Sequence, residues 1–394
     1  MSTAAVLAGR TVVVANWRDL DHSLAGGAER YAWEFAKALA GAGARVEFLT
    51  ARESGQRRRL VREGIRVRRG GGRLSFYAYA AAYLLRHRHR IDAVVDAEAG
   101  IPVFSPWWVG DATAVTLLMH HVHQRQFDTY FPRPVAALGR LLEARVMPRA
   151  YRHARAVAVS ESTRVEMARQ LGWTGPVEVL VNGSSAPLPV EVHPADTIDR
   201  ITVVGRLSPH KRVDLVVRAV AALVAARPAL HLDVIGAGPD ADLLARLVRD
   251  LDVEKHVTLH GFVDEETKAG LLARARLHVC ASDVEGWGQV VIEAASYGVP
   301  TLARDVPGLR GSVRPDATGW LTAETGTDLG AVQSRLTVGI ERALGELDDD
   351  ERRAEMSADC RAWAARFSWG RMHAEAVALV AASINENRSR NDER

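Results

Sequence analysis

The first half of the chain alternates short apolar runs with stretches whose apolar residues return at helical spacing. RTVVVA at 10–15 reads as a buried strand, and Tyr31, Phe35 and Leu39 mark a helix over 28–40. RVEFLT at 45–50 is the next strand and GIRVRR at 64–69 a further one. IDAVVD at 91–96, AVTLLM at 114–119 and AVAVS at 156–160 complete a parallel sheet. The ten apolar residues at 76–85 are too few to span a bilayer and predict a core or interfacial helix. Strands alternating with helices imply a doubly wound α/β domain.

The proline-rich stretch SSAPLPVEVHPADTID at 184–199 has no period and reads as a linker. A second alternating run follows, with strands at 200–204, 230–235, 257–260, 277–280 and 301–303. Helices are expected at 214–226, 241–251, 265–275 and 289–297. The expected division is a first domain over 1–184, a linker over 185–199, a second domain over 200–368 and a closing helix with a frayed tail over 369–394. Two such domains would face each other across a cleft between the carboxyl ends of two sheets, where ligands of open α/β sheets bind.

Composition narrows this little. A chain of 394 residues is too long for one ordinary core, and 47% hydrophobic with 25% charged residues is globular usage. Cys280 and Cys360 form neither a disulfide framework nor a metal cluster, so a reducing compartment is expected. The amino terminus lacks signal-peptide order and no window holds the ~20 apolar residues of a span. The expectation is a cytoplasmic protein, soluble or attached to the inner face of the membrane.

Charge is uneven. Between Arg52 and Arg90 stand twelve arginines against Glu53 and Glu63, roughly +10 locally against +3 overall. An anionic partner such as a phospholipid surface or a lipid-phosphate acceptor would explain this. So would an arginine-biased composition, because Lys37, Lys211, Lys255 and Lys268 are the only lysines. Nucleic acid is not expected, since no stacking aromatics are interleaved with these arginines.

The chemistry concentrates in two places. In EGWGQVVIE, Gly286 and Gly288 form a loop leading into a helix near Gln289, and Gly298 and Pro300 end it. Free N–H groups and the dipole at such a helix start favour an anion. Glu285 and Glu293 would repel a diphosphate and suit sugar hydroxyls instead. In GRLSPHKR, Pro209 suits a turn and helix start, placing Arg206 and Lys211 at the end of a strand. Two cations there could neutralise a departing diphosphate, each charge-assisted bond contributing ~1.5–3 kcal/mol.

The order GRLSPHK, VIGAGP, EGWGQVVIEA and GVP resembles glycosyltransferase family 4, retaining enzymes of the two-domain GT-B fold. Ala25-Gly26-Gly27-Ala28-Glu29 is similar to that family's N-terminal glycine loop, and FSW at 367–369 to the opening of its closing helix. The resemblance implies that Arg206 and Lys211 bind the donor diphosphate. Glu285 and the backbone of Gly286, Trp287, Gly288 and Gln289 would hold sugar hydroxyls, and Glu293 the ribose. Phe262 and Val263 would face the base, and Gly27 would approach the diphosphate from the first domain, where the family binds acceptors. A histidine is expected after the 114–119 strand: register favours His120, with His121 and His123 as acceptor-side alternatives. His210 and Arg212, where the family often has an acid and a small residue, depart from the pattern.

The implied reaction moves a hexose from a nucleoside diphosphate sugar, UDP- or GDP-linked, to a hydroxyl of an unidentified acceptor with retention. The acceptor classes left open are lipid-linked, polysaccharide and natural product, with peripheral membrane contact through the arginines between Arg52 and Arg90. No cofactor and no metal are expected. GAGPDA at 236–241 mimics a dinucleotide fingerprint but follows the second strand of its domain without the required acid, so no NAD site is expected. The acids at Asp19 and Asp21 and at Asp250 and Asp252 are not read as metal ligands, and Lys255 and Lys268 read as surface residues rather than a pyridoxal lysine. The alternatives are an epimerase on the same fold and a non-catalytic sugar-nucleotide-binding protein.

Overall fold

The structure is a computed structural model that describes residues 6–98, 100–124, 126–190, 199–323 and 328–392. It divides into two compact units, Met1–Gly183 with Trp369–Arg394, and Ser184–Ser368. Half of the proline-rich stretch, residues 191–198, lies outside the described residues.

The first unit is built on eight strands: β1 Thr11–Ala15, β2 Arg45–Thr50, β3 Arg59–Arg62, β4 Ile65–Arg69, β5 Ala93–Glu98, β6 Ala114–Met119, β7 Arg155–Ala158 and β8 Val177–Val179. Their order is β3-β4-β2-β1-β5-β6-β7-β8. Val12, Val13 and Val14 of β1 are wholly buried, as a central parallel strand covered on both faces requires. The expected all-parallel sheet needs one correction: β3 runs antiparallel to β4. Glu63 and Gly64 between them have φ of 50° and 78°, the two-residue turn that matches strand twist. Glu-Gly is a weak signal for that turn, and β8 is only three residues long, so neither strand stands out in the sequence.

The helix Phe76–His87 buries Phe76, Ala80 and Leu84, one face at i, i+4, i+8, against Val13 and Leu49. Part of the arginine-rich stretch is spent on the fold. Arg69 is buried and pairs with Asp19 and Asp21, both at 2.6 Å, Arg68 pairs with Glu47, and Arg62 with Asp21. The helix Trp369–Asp392 packs on the helix Gly27–Gly41, with His373 Nε2 2.9 Å from Glu34. A Cβ at Gly183 would stand 2.5 Å from the Trp369 backbone, so only glycine lets these two segments meet.

The second unit holds six parallel strands: β9 Arg200–Val204, β10 His231–Ile235, β11 Val257–Gly261, β12 Leu277–Cys280, β13 Thr301–Arg304 and β14 Gly319–Thr322, in the order β11-β10-β9-β12-β13-β14. Its core packs Ile201, Leu232, Leu277 and Leu302 of the sheet against Val216, Leu336 and Ile340 of the helices. Strand β14 escapes a periodicity reading because it opens on a glycine: at Gly319, φ is 150° and a Cβ would stand 1.9 Å from the Thr301 carbonyl. No helix of the described residues is long and apolar enough to cross a membrane.

Candidate functional site

In the second unit, β10 lies on one side of β9 and β12 on the other. The crevice at this reversal is where open α/β sheets receive ligands. The loop after β9 carries Arg206 and Lys211; the loop after β12 carries Glu285 and leads into the helix Gln289–Ser296. The structure joins the two loops through one ion pair, Lys211 Nζ to Glu285 Oε1 at 2.5 Å, and Ser282 Oγ donates to the same oxygen at 2.8 Å. Burial alone would lower the Lys211 pKa, but Glu285 outweighs it and the ammonium is held charged. The Asp283 N–H donates to the His210 carbonyl at 2.8 Å, a second tie between the loops. Burial and the neighbouring Lys211 push His210 down to about 4, so its imidazole is neutral. Arg212, with φ of 52°, pairs with its neighbour Asp214.

GAGPDA serves this loop. Gly236 stands so close to Gly205 that a Cβ would lie 1.9 Å from the Gly205 carbonyl, and a Cβ at Gly238 2.2 Å from that of Leu207. Gly205 N and Leu207 N in turn donate to Ile235 and Ala237. Arg304, at the end of β13, is buried, donates to the Ala281 carbonyl at 3.1 Å and pairs with Asp283. Gly308 does the same for the glutamate loop, since a Cβ there would meet the Glu285 carbonyl at 2.2 Å. Motif reading misses Arg304 and Gly308, because their partners are distant in sequence.

Two details of the glutamate motif differ from expectation. Gly288 is needed for packing, because a Cβ there would lie 2.3 Å from Ser312 Oγ. The Trp287 ring sits in an apolar cluster with Ile292, Ala364 and Phe367. Glu293, in the helix, lies 3.4 Å from Lys268 Nζ, which also meets Glu265 at 2.9 Å. Lys268 is therefore a half-buried partner of the second glutamate, not the surface lysine its charged neighbourhood suggests. Burial would lower its pKa, and Glu293 more than reverses that. Phe262 is 89% exposed just beyond β11, beside Val263.

The first unit has its own reversal at β1, between β2 and β5. Gly26 precedes the helix Gly27–Gly41, and Glu29 reaches back to the Gly26 N–H at 2.7 Å, a capping interaction. Glu29 also pairs with Arg18 at 2.7 Å. A Cβ at Gly27 would meet nothing within 4 Å. His120 follows β6, buried edge-on against Tyr31 at 5.4 Å, and its Nε2 has no hydrogen-bond partner. Burial pushes its pKa down to about 3, with His123 adding to the effect, so the ring is neutral. His121 bonds Gln126 at 2.8 Å.

His123 is a different kind of residue. Its Nδ1 lies 3.2 Å from Glu98 and 3.5 Å from Glu143. Burial would discharge the ring, but the two carboxylates prevail and raise it to about 10. Glu143 also accepts from the His123 N–H and from Gln124, both at 2.6 Å. Glu98, His123 and Glu143 have donor atoms close enough to share a cation. As an imidazolium, His123 already occupies that position between the carboxylates. The three histidines thus separate into a buried neutral one, a polar-bonded one and a charged one.

Two doubly wound α/β units, the second with its polar chemistry on the loops after β9 and β12, are the architecture of GT-B glycosyltransferases. The family described as Glycosyltransferase Family 4 matches residues 25–186, and that described as Glycosyl transferases group 1 matches residues 191–332. The chain is 30% identical to a D-inositol 3-phosphate glycosyltransferase of Kineococcus radiotolerans, with 88% of each chain covered. It is 35% identical to a GDP-mannose-dependent alpha-(1-6)-phosphatidylinositol monomannoside mannosyltransferase of Mycolicibacterium smegmatis, over 42% of this chain and 44% of that one. Among solved structures, a sucrose-phosphate synthase of Thermosynechococcus elongatus shares the fold with a TM-score of 0.77 at 19% identity, covering 94% of this chain and 98% of that one. WaaG, a glycosyltransferase of lipopolysaccharide biosynthesis, does so with a TM-score of 0.71 at 17% identity, covering 93% and 99%. The chain belongs to glycosyltransferase family 4, and it is a transferase that draws on a nucleotide sugar.

Proposed function

We propose that this enzyme transfers a hexose from UDP or GDP to an acceptor hydroxyl, with retention and without a metal. The observation that carries the reading is the Lys211–Glu285 pair at the β9/β12 reversal, beside the start of the helix Gln289–Ser296. Binding exchanges partners: the diphosphate takes Lys211 together with Arg206, and Glu285 turns to donor hydroxyls. Glu293, fixed by Lys268, accepts from the ribose hydroxyls; Phe262 and Val263 border the base. The backbone of Gly286, Trp287, Gly288 and Gln289 serves the sugar and phosphates. From the first unit, the family resemblance assigns donor contacts to Gly27 and His120. The open space over Gly27 and the unpartnered Nε2 of His120 support both assignments.

The bond from the anomeric carbon to the diphosphate oxygen breaks first, and Lys211, Arg206 and the helix N-terminus stabilise the charge that develops. The acceptor oxygen then bonds to the same face, and its proton passes to the departing phosphate. These cations supply the charge compensation a metal would otherwise give. A relative acting on inositol phosphate and another on a phosphatidylinositol mannoside favour a phosphorylated polyol or its lipid as acceptor. With such an acceptor the proposed reaction runs at the inner membrane face, and the exposed arginines between Arg52 and Arg90 are available to the surface. Thermal shifts with UDP, GDP, ADP and dTDP, followed by turnover of the matching hexose donor with inositol phosphate or phosphatidylinositol, test the reading. A rise in melting temperature with UDP or GDP and an α-configured product from an α-configured donor are expected. No shift with either nucleotide, or epimerisation of the donor without an acceptor, would overturn it.

A further inference from the structure

The first unit carries a long helical segment that the sugar chemistry leaves unused. The helix Arg133–Leu141 runs on through the π-turn Leu142–Val146 into the helix Met147–Ala150 without a break. Eighteen residues make it ~27 Å long. Ala136, Gly139, Glu143 and Met147 face inward and are buried. The outer side of its first half is aliphatic and bare, with Val135 47%, Leu138 54% and Leu141 54% exposed. The outer side of its second half is cationic. Arg145, Arg149 and the following Arg152 continue the same stripe at spacings of four and three, and line a depression of about 530 Å³ with Gln170 and Thr174. Between residues 131 and 154 the one acid is Glu143, and it is buried against His123. Leu74, 76% exposed, adds an apolar knob close by, since its neighbour Arg73 lies 5.0 Å over the Phe131 ring at the start of this segment.

We propose that this face, residues 133–152, docks on an anionic lipid surface. Val135, Leu138 and Leu141 enter the acyl boundary, and Arg145, Arg149 and Arg152 lie in the phosphate layer. Three aliphatic side chains held out on one face, beside guanidinium groups that no acid pairs with among the described residues, match an interfacial helix in composition and in separation. A second copy of the chain does not match, because a two-fold contact would bring these arginines against their own mates. Nucleic acid does not match either, since the stripe offers bases no aromatic ring to stack on. The arginine-rich stretch noted in the sequence is less suited, as Arg62, Arg68 and Arg69 are engaged by acids of the fold. The proposal does not depend on the donor chemistry.

The test is flotation of the full chain with phosphatidylcholine vesicles and with vesicles containing ~30% phosphatidylglycerol, at low and high salt. Binding to the anionic vesicles and its loss in high salt are expected. Leu138→Glu with Leu141→Glu should abolish binding while leaving the circular dichroism and melting temperature unchanged. Each of Arg145→Gln, Arg149→Gln and Arg152→Gln should lower the partition coefficient about fivefold, the equivalent of ~1 kcal/mol. Wild-type protein that floats with neither vesicle overturns the proposal. So does binding that survives these substitutions but is lost with Arg86→Gln, Arg88→Gln and Arg90→Gln, or a dimer in sedimentation that the leucine substitutions dissociate.

Discussion

Lys211 Nζ meets Glu285 Oε1 at 2.5 Å, and this contact holds together loops that leave adjacent strands. In the proposed reaction each residue masks the other until the donor offers phosphates to Lys211 and hydroxyls to Glu285. Lys211→Met should therefore lower turnover by ~100- to 1,000-fold, the usual cost of removing a donor aimed at developing negative charge. Glu285→Gln should lower it too, but by acting on donor orientation. Steady-state kinetics with the matched donor, alongside circular dichroism to confirm folding, check both. Wild-type kcat in a folded Lys211→Met protein would remove Lys211 from the mechanism.

Gly236 gives a second prediction, concerning the support of the site rather than its chemistry. Its φ is 142°, and a Cβ would stand 1.9 Å from a backbone carbonyl that has no flexible end to yield. Gly236→Ala should move Gly205 and with it the Arg206–Lys211 loop. The expected result is a loss of ~1–3 kcal/mol in stability together with weaker nucleotide binding. Calorimetric titration of the purified variant with UDP or GDP would measure the second effect separately from the first.

A residue's place in the fold is legible where it is written locally. Lys211, Glu285 and Glu293 stand in loops and a helix start whose glycines and prolines announce the turn. It is hidden where the meaning is tertiary. Gly236 and Gly238 look like a nucleotide fingerprint because the pattern is real, but what the glycines accommodate is the backbone of Gly205 and Leu207. Lys268 follows Glu265 and Glu266, so composition marks it as surface; its pairing with Glu293 from another helix is tertiary. The hairpin of β3 and β4 hides behind Glu63-Gly64 because glutamate is an unusual choice for a left-handed turn position. Register ranks His120 ahead of His121 and His123 but does not reveal the charge on His123, since Glu98 and Glu143 come from other segments of the chain.

The Lys268–Glu293 pair leads to a prediction on the ribose. If Glu293 accepts from the ribose hydroxyls, Glu293→Gln should weaken UDP or GDP binding by ~10- to 100-fold, the range of a hydrogen bond to a charged group. The same substitution should leave binding of the 2′,3′-dideoxynucleotide, which lacks those hydroxyls, nearly unchanged. Titration calorimetry with both nucleotides on both proteins compares them directly. Equal losses for the two ligands would place Glu293 away from the ribose.

His123 predicts how stability depends on pH. An unfolded imidazole titrates near 6.5, whereas Glu98 and Glu143 overcome the cost of burial and raise His123 to about 10 in the fold. Between these values the folded chain keeps a proton that the unfolded chain releases, so unfolding loses a proton and rising pH favours it. The contribution of His123 is therefore fully present below about pH 6.5 and is lost as pH rises through about 10. His123→Gln keeps the ring's approximate bulk but leaves Glu98 and Glu143 without their cation, which should cost ~3–5 kcal/mol at pH 6. Urea denaturation of both proteins from pH 6 to pH 10 gives the difference at each pH. That difference should be largest at pH 6 and shrink steadily towards pH 10. A gap that stays constant across the range would mean that His123 supports the fold by packing alone and carries no charge between its two carboxylates.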